Sequence, residues 1–189
     1  MTSPRRNTAP SWRPMGLTEY PVLGALSLAP AHGYDLFRFL DHHLRDICRF
    51  GRSQTYAVLN RLEQEGMARH HKVDQDNLPS KKVFEITSIG EELLAAWVKS
   101  PVAHIRDLRV EFLVKLFFAG LKSSEVREDL LRYQLEVCRR KAQRLEELKA
   151  GCRNRIELVA IEYRTAIVLA TDKWLKGLLE ANSFPCTLP

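Results

Sequence analysis

SQTYAVLNRLEQEG, residues 53–66, predicts a short helix that carries its own start and stop signals. Ser53 can cap the amino end by accepting hydrogen bonds from the free N–H groups of the first turn. Gly66 can adopt the left-handed conformation that closes a helix, which would bring Leu62 and Met67 together in a Schellman ending. A helix delimited this closely is a unit whose faces can be analysed separately.

The faces of this helix differ in chemistry. One face can pack on a core, because its residues recur at a spacing of three to four: Thr55, Val58, Leu59 and Leu62. The remaining surface carries amide, hydroxyl and guanidinium groups of the kind that contact bases and phosphates, namely Gln54, Tyr56, Asn60 and Arg61. Taken alone, the pattern more often indicates an amphipathic helix with a solvated polar face.

A basic β-hairpin pattern follows this helix directly. Residues 67–73 alternate loosely, residues 74–80 form a turn rich in Asp, Asn, Pro and Ser, and residues 81–86 predict the returning strand. Lysines of this hairpin can contact phosphate or, alternatively, protect an exposed strand edge. A short capped helix followed by a basic hairpin is typical of a winged helix-turn-helix, which favours binding to DNA.

The rest of the chain predicts a mainly α fold with this small β-hairpin wing. Thr18 can cap a first helix, a second runs from about residue 32 to 44, and Thr87 can cap a fourth over about 88–99. Further helices are predicted near residues 106–121 and 124–149, with a last one capped by Asn154. We expect a flexible basic N-terminal arm over 1–16, a winged-helix domain over 17–100 and an α-helical dimerisation domain over 101–189. The arm can lie along DNA or be a disordered tail.

A seam of apolar residues runs along the last predicted helix in steps of four and three: Ile156, Ala160, Tyr163, Ile167, Ala170, Trp174 and Leu178. About three heptads suit a helical hairpin or a coiled coil. The seam can pack within the chain or between two copies, and we expect both, because a two-helix hairpin buries little by itself. The residues assigned to dimerisation are Phe112, Leu116, Ile156, Tyr163, Ile167 and Trp174.

Composition limits the possible functions of the 189 residues. The net charge is +6, but residues 1–100 contribute only +2 of it and residues 101–189 contribute +4. DNA affinity would therefore depend on local placement of charge and not on bulk charge. No apolar stretch approaches the roughly 20 residues of a membrane span, and no signal-peptide core is present, so we expect a cytoplasmic protein. The four cysteines, which we expect to be free thiols, are Cys48, Cys138, Cys152 and Cys186.

Several segments, taken in order, resemble PadR-type transcriptional regulators, by motif over residues 17–120 and by architecture beyond. They are LTEYPVLGAL (17–26), AHGYDL (31–36), TYAVLNRLEQEG (55–66), KKVFEITSIG (81–90) and EFLVKLFF (111–118). The resemblance implies a homodimeric, DNA-binding repressor with a winged-helix domain and a helical dimerisation domain. It also implies release from DNA by a small aromatic or hydrophobic effector.

On this basis we expect the helix of residues 53–65 to enter the major groove with its amino end against the DNA. Arg52, Ser53, Gln54 and Tyr56 would lie nearest the bases and phosphates, whereas Asn60 and Arg61 would contact the DNA backbone or nothing. Phosphate contacts beside the minor groove are assigned to Lys72, Lys81 and Lys82. Two copies would place these helices about one DNA turn apart, which predicts double-stranded DNA with a near-palindromic operator as the partner.

The sequence also bears on an effector pocket and on two other classes of function. Trp97 and Trp174 can line an effector pocket, although core packing is the commoner use of such residues. The pairs His42-His43 and His70-His71 do not form a ready chelate, and no nucleophile, phosphate-loop or dinucleotide motif is present, so we expect no metal, no cofactor and no enzymatic activity. The alternative function is a helical protein-interaction adaptor that retains a winged-helix module without DNA affinity.

Overall fold

The computed structural model describes residues 16–75 and 78–181. The predicted arm, residues 1–16, therefore lies outside the described residues except for Gly16, and Cys186 lies outside them as well. None of the described helices combines the length and the hydropathy that crossing a membrane requires. The division of the chain at residue 100 stays a prediction.

The predicted mainly α fold with a small β wing is confirmed. The amino-terminal half contains α1 (Glu19–Leu26), β1 (Ala31–His32), α2 (Gly33–Leu44), α3 (Arg52–Gln64), β2 (Ala68–Gln75), β3 (Leu78–Ile86) and α4 (Ser88–Lys99). The carboxyl-terminal half contains a 3-10 helix (Ile105–Arg109), α5 (Glu111–Lys122), α6 (Ser124–Gly151) and α7 (Arg155–Glu180).

The predicted end of α3 is confirmed, but its predicted start is wrong. Gly66 has a φ of 74°, and the N–H of Met67 donates to the carbonyl of Leu62 at 2.8 Å, as a Schellman ending requires. At the other end Gly51, and not Ser53, occupies the N-cap position, so the helix begins at Arg52. The Oε1 atom of Gln54 accepts a long hydrogen bond of 3.4 Å from the Gly51 N–H.

The sheet has three strands in the order β1-β3-β2, whereas the sequence pattern predicts only the β2–β3 hairpin. The missing strand β1 is two residues long, and Ala31 pairs with Phe84 of β3. The hairpin turn is also shorter than predicted, since β2 continues to Gln75 and β3 begins at Leu78. Main-chain pairing therefore anchors β3, and with it the wing, to the start of α2.

The core of the amino-terminal half forms where α1, α2 and α3 bury their apolar sides. On α2 the side chains of Leu36, Leu40 and Leu44 are buried. Gly24 of α1 lies against the ring of Phe118, so closely that a Cβ atom there would come within 2.6 Å of the ring. This contact joins the winged-helix region to α5.

Two buried polar side chains hold the segment that connects α4 to the rest of the chain. The Lys115 ammonium donates to the carbonyl of Ser100 at 2.9 Å and also contacts Glu111 at 2.8 Å. The Gln134 amide accepts from the N–H of Val102 at 2.8 Å and donates to its carbonyl at 3.2 Å. Since buried polar groups need such partners, these bonds define the position of the connecting segment.

The long helices differ from the sequence prediction in two respects. The helix predicted over residues 106–121 is split, because the 3-10 helix ends at Arg109 and α5 begins only at Glu111. On α7, the residues buried within the chain are Ile161, Val168 and Leu175, spaced by seven. The predicted seam is turned mostly away from that stripe.

Candidate nucleic-acid interface

The first turn of α3 presents the predicted reading residues at the surface. Arg52, Ser53 and Gln54 are all exposed. The Arg52 guanidinium lies over the ring of Tyr34, with 5.6 Å between its carbon and the ring centroid. Tyr34 belongs to the first turn of α2, so this cation–π contact orients Arg52 from a second helix. The His-Gly-Tyr motif contains Tyr34, but the motif alone does not predict this role.

Tyr56 is half-buried and has a structural contact as well as its predicted role. A Cβ atom on Gly33 would lie 2.6 Å from the Tyr56 ring, so the glycine leaves space for the ring to pack against the start of α2. The His32 ring lies edge-on, with 6.5 Å between ring centroids. Asn60 is exposed further along the same helix.

Arg61 is engaged in an ion pair within the chain, and its contact with the DNA backbone stays a prediction. Its Nη1 atom donates to Glu19 Oε1 at 2.7 Å, and the Glu19 side chain is fully buried. The other Glu19 oxygen accepts from the N–H of Gly16 at 2.7 Å. Arg61 therefore links α3 to the start of α1.

The three predicted lysines of the wing do not lie on one face. Lys72 and Lys82 are directly opposite partners on β2 and β3, whereas Lys81 pairs with Val73 and lies on the reverse face. All three side chains are exposed. No ion pair joins Lys72 or Lys82 to an acid among the side chains that the structure describes. The wing therefore presents two juxtaposed cations on one face.

The residues assigned to dimerisation separate into two groups. Ile156, Tyr163 and Trp174 are exposed to 71%, 67% and 41%, and Ile167 is half-buried. By contrast, Phe112 and Leu116 are buried inside the chain's own core, so no surface of theirs is left for a second copy. The Phe112 ring meets the Trp174 ring edge-on at 6.0 Å between centroids. Direct contact between copies is therefore a prediction for the α7 residues alone.

Trp97 is buried in the core, the commoner use of such a residue, and its assignment to an effector pocket stays a prediction. Its ring stacks on Tyr20 with 4.2 Å between centroids, and the Lys115 ammonium lies 5.0 Å above it. Burial, reinforced by the carboxylates of Glu111 and Glu19, raises the pKa of Tyr20. The hydroxyl of Tyr20 is thus more strongly held in its neutral form.

A cavity of about 910 Å³ lies elsewhere, between the start of the amino-terminal half, the 3-10 helix, α6 and α7. Neither Trp97 nor Trp174 lines it. Tyr163 and Ile167, which the sequence analysis assigns to dimerisation, form part of its wall. Sequence patterns do not predict this site, because its lining comes from four separate segments.

The histidine pairs bring no metal site together within residues 16–75 and 78–181, where no three His, Cys, Asp or Glu side chains converge. His70 contacts the carboxylate of Glu63 on α3. Cys48, Cys138 and Cys152 are free thiols, as predicted.

Two family models match parts of this chain. The model of the transcriptional regulator PadR-like family matches residues 22–96, and that of the virulence activator alpha C-terminal family matches residues 108–176. The negative transcriptional regulator PadR of Bacillus subtilis is 26% identical over 122 residues, which are 65% of this chain and 67% of the relative. The probable transcriptional regulator Rv1176c of Mycobacterium tuberculosis is 29% identical over 90 residues, 48% of each chain.

Among solved structures, Bacillus subtilis PadR in complex with operator DNA is similar with a TM-score of 0.47 and 23% identity, covering 90% of this chain and 100% of that one. The family match spans α1 to α4, where the exposed first turn of α3 and the wing lie. Residues 22–96 of the chain belong to the PadR-like family of transcriptional regulators.

Proposed function

We propose that the chain binds double-stranded DNA as a homodimer and represses transcription, without catalysing a reaction. In this proposal α3 enters the major groove with its first turn towards the bases, and the wing lies along the neighbouring phosphates. Arg52, Ser53, Gln54 and Tyr56 are the residues proposed to contact the major groove. Lys72 and Lys82 are proposed to hold phosphate together, with Lys81 in a lesser role on the reverse face.

The observation that carries the proposal is the charge at the start of α3. Of the seven α-helices in the described part of the chain, six have an acidic residue in the first turn: Glu19, Asp35, Glu91, Glu111, Glu125 and Glu157. The first turn of α3 has none and begins with Arg52 instead. Since a helix amino end carries partial positive charge, this turn is suited to an external anion such as a DNA phosphate.

The paired lysines support the same interpretation. Like charges directly opposite each other on adjacent strands weaken a hairpin. Lys72 and Lys82 nevertheless occupy such a pair. A polyanion laid across the wing would offset this repulsion and release counterions.

The exposed side of α7 supports the homodimer. Ile156, Tyr163 and Trp174 belong to one apolar seam that α6 leaves uncovered. A two-fold axis along this seam would pair the same surface of both copies. The two α3 helices would then address half-sites related by the same symmetry, so we propose a near-palindromic operator with half-sites about one helical turn apart.

Repression and its relief are the most detailed part of the proposal. The relative of Bacillus subtilis at 26% identity is a negative regulator, which supports repression. The cavity beside the 3-10 helix supports a small effector, because its walls come from both halves of the chain. Suppose that the two halves of the chain can adopt two relative arrangements that differ in DNA affinity. A ligand in the cavity would then change DNA affinity only if it binds one arrangement more tightly than the other.

Selection of bound fragments from a pool of random duplexes tests this function. We expect enrichment of a sequence with two inverted half-sites, and binding that falls steeply as salt rises. Failure of the full chain to retain any duplex at low salt would contradict the proposal and favour the protein-interaction adaptor. Enrichment of a single, asymmetric site would contradict the homodimeric arrangement alone.

A further inference from the structure

The floor of the cavity beside the 3-10 helix is apolar. Leu145 of α6 is buried there, and Ile167 of α7 and Val110 before α5 are half-buried beside it. Leu17, which precedes α1, and the ring of Tyr163 add further apolar surface at the edge. A volume of about 910 Å³ is in the range of small-molecule sites in proteins.

The rim of the same cavity is strongly cationic. Five of the lining residues are basic, namely Arg106, Arg109, Lys141, Arg144 and Arg164, whereas only Asp107 and Glu111 are acidic. These cations come from the 3-10 helix, α6 and α7, so the fold and not a local run of sequence brings them together.

Each of the two acids pairs with a basic residue close to it in the sequence. Asp107 lies 3.6 Å from its neighbour Arg106, and Glu111 contacts the buried ammonium of Lys115 at 2.8 Å. Arg144 is paired outside the cavity, with Glu147 at 3.2 Å.

Three of the basic residues are left without an acidic partner among the residues the structure describes: Arg109, Lys141 and Arg164. Each comes from a different wall of the cavity. Like charges held around one opening repel each other, and the repulsion is relieved when an anion with several acceptor oxygens lies between them. An apolar floor below such a rim favours a ligand that has both an anionic group and an apolar body.

We infer that this cavity binds a small amphiphile that carries a dianionic head, such as a phosphate monoester, on an apolar body. The head lies among Arg109, Lys141 and Arg164, and the body lies on Leu145 and Ile167. The resemblance to PadR-type regulators implies only a small aromatic or hydrophobic effector, and the cavity adds a dianionic head to it. The inference rests on the proposed function only where it makes the ligand an effector, and the binding itself is independent of DNA.

Isothermal titration calorimetry on the full chain, without DNA, tests the site with four probes. The probes are 1-naphthyl phosphate, naphthalene-1-sulfonate, 1-naphthol and inorganic phosphate, at about pH 7.5, where a phosphate monoester is mostly dianionic. We expect 1-naphthyl phosphate to bind at least about tenfold more tightly than each of the other three. No binding of 1-naphthyl phosphate, or equal binding of 1-naphthol, would overturn the inference.

Matched variants assign the binding to this cavity. Lys141→Gln combined with Arg164→Gln should weaken 1-naphthyl phosphate at least about tenfold while leaving 1-naphthol unchanged. Lys173→Gln, an exposed cation on α7 outside the cavity, is the control and should have no effect. Circular dichroism of each variant verifies folding, and Lys141→Gln and Arg164→Gln separately replace the double variant if it does not fold. Unchanged binding in folded variants would overturn the assignment.

The two proposals fail separately. A chain that binds 1-naphthyl phosphate but no duplex contradicts the DNA-binding function and leaves the cavity site standing. A chain that binds duplex but not 1-naphthyl phosphate contradicts only the cavity site.

Discussion

Arg61 on α3 donates to the fully buried carboxylate of Glu19 on α1 at 2.7 Å. We predict that Arg61→Ala lowers the free energy of unfolding by about 1–3 kcal/mol, because a buried carboxylate loses a charge-assisted hydrogen bond. The loss is smaller than for a fully buried pair because the Arg61 side chain is half-exposed. Urea denaturation followed by circular dichroism measures the effect.

Asn60→Ala is the control for Arg61, since Asn60 is exposed on the same helix. It should leave the free energy of unfolding nearly unchanged. The structure also predicts that folded Arg61→Ala retains the salt dependence of DNA binding seen in the unmodified chain. A loss of salt dependence without a loss of stability would show that Arg61 contacts DNA and not Glu19.

Arg52 should behave in the opposite way. Arg52→Ala should weaken DNA binding and reduce the slope of log affinity against log salt by about 0.9, the value for one lost phosphate contact on B-DNA. Its stability should change little, because its contact with Tyr34 is at the surface. Fluorescence anisotropy titrations at several salt concentrations measure the slope. Arg45→Ala on α2, whose guanidinium pairs with Asp41, is the control.

The end of α3 was predictable because all of its determinants lie within a few residues. Leu62, Gly66 and Met67 form the Schellman ending through local hydrogen bonds and one apolar contact. The start of α3 was harder to predict, because Ser53 and Gly51 are both acceptable N-caps. Which of them caps the helix depends on where the preceding loop places the chain.

Long-range features could not be predicted from patterns of this kind. Strand β1 is two residues long and exists through its pairing with Phe84 and Val83, about 50 residues later. The Arg61–Glu19 pair joins residues 42 positions apart. On α7, two apolar stripes have heptad spacing, and the one that packs within the chain is decided by the surface that α6 offers it. In each case the local sequence permits several pairings or packings equally well, and tertiary contacts determine which one forms.

The wing lysines should differ in their effect on DNA binding according to the face of the hairpin on which each lies. Lys72→Gln combined with Lys82→Gln should reduce the salt slope of DNA binding by about twice 0.9, because two phosphate contacts are lost. The same double variant should be slightly more stable, since it removes like charges from directly opposite positions. Lys81→Gln is the control on the reverse face and should have the smaller effect on binding. Equal effects of Lys81→Gln and Lys82→Gln would contradict the assignment of one face to DNA.

The exposed seam of α7 predicts a self-association that a single charge disrupts. Ile156→Glu places a carboxylate on a side chain that is 71% exposed in the single chain, so folding should be unaffected. Across a two-fold interface the two carboxylates would be desolvated without partners, which should weaken the dimer at least about tenfold. Sedimentation velocity over a range of concentrations measures this shift towards monomer.

Lys173→Glu is the control for this seam, because it makes a larger change of charge at an exposed position of α7 that is not part of the seam. It should leave the sedimentation profile unchanged. Because two half-sites are bound together only by a dimer, Ile156→Glu should also lose affinity for a palindromic duplex while retaining weak binding to a single half-site. A dimer of Ile156→Glu as stable as that of the unmodified chain would place the interface elsewhere on the molecule.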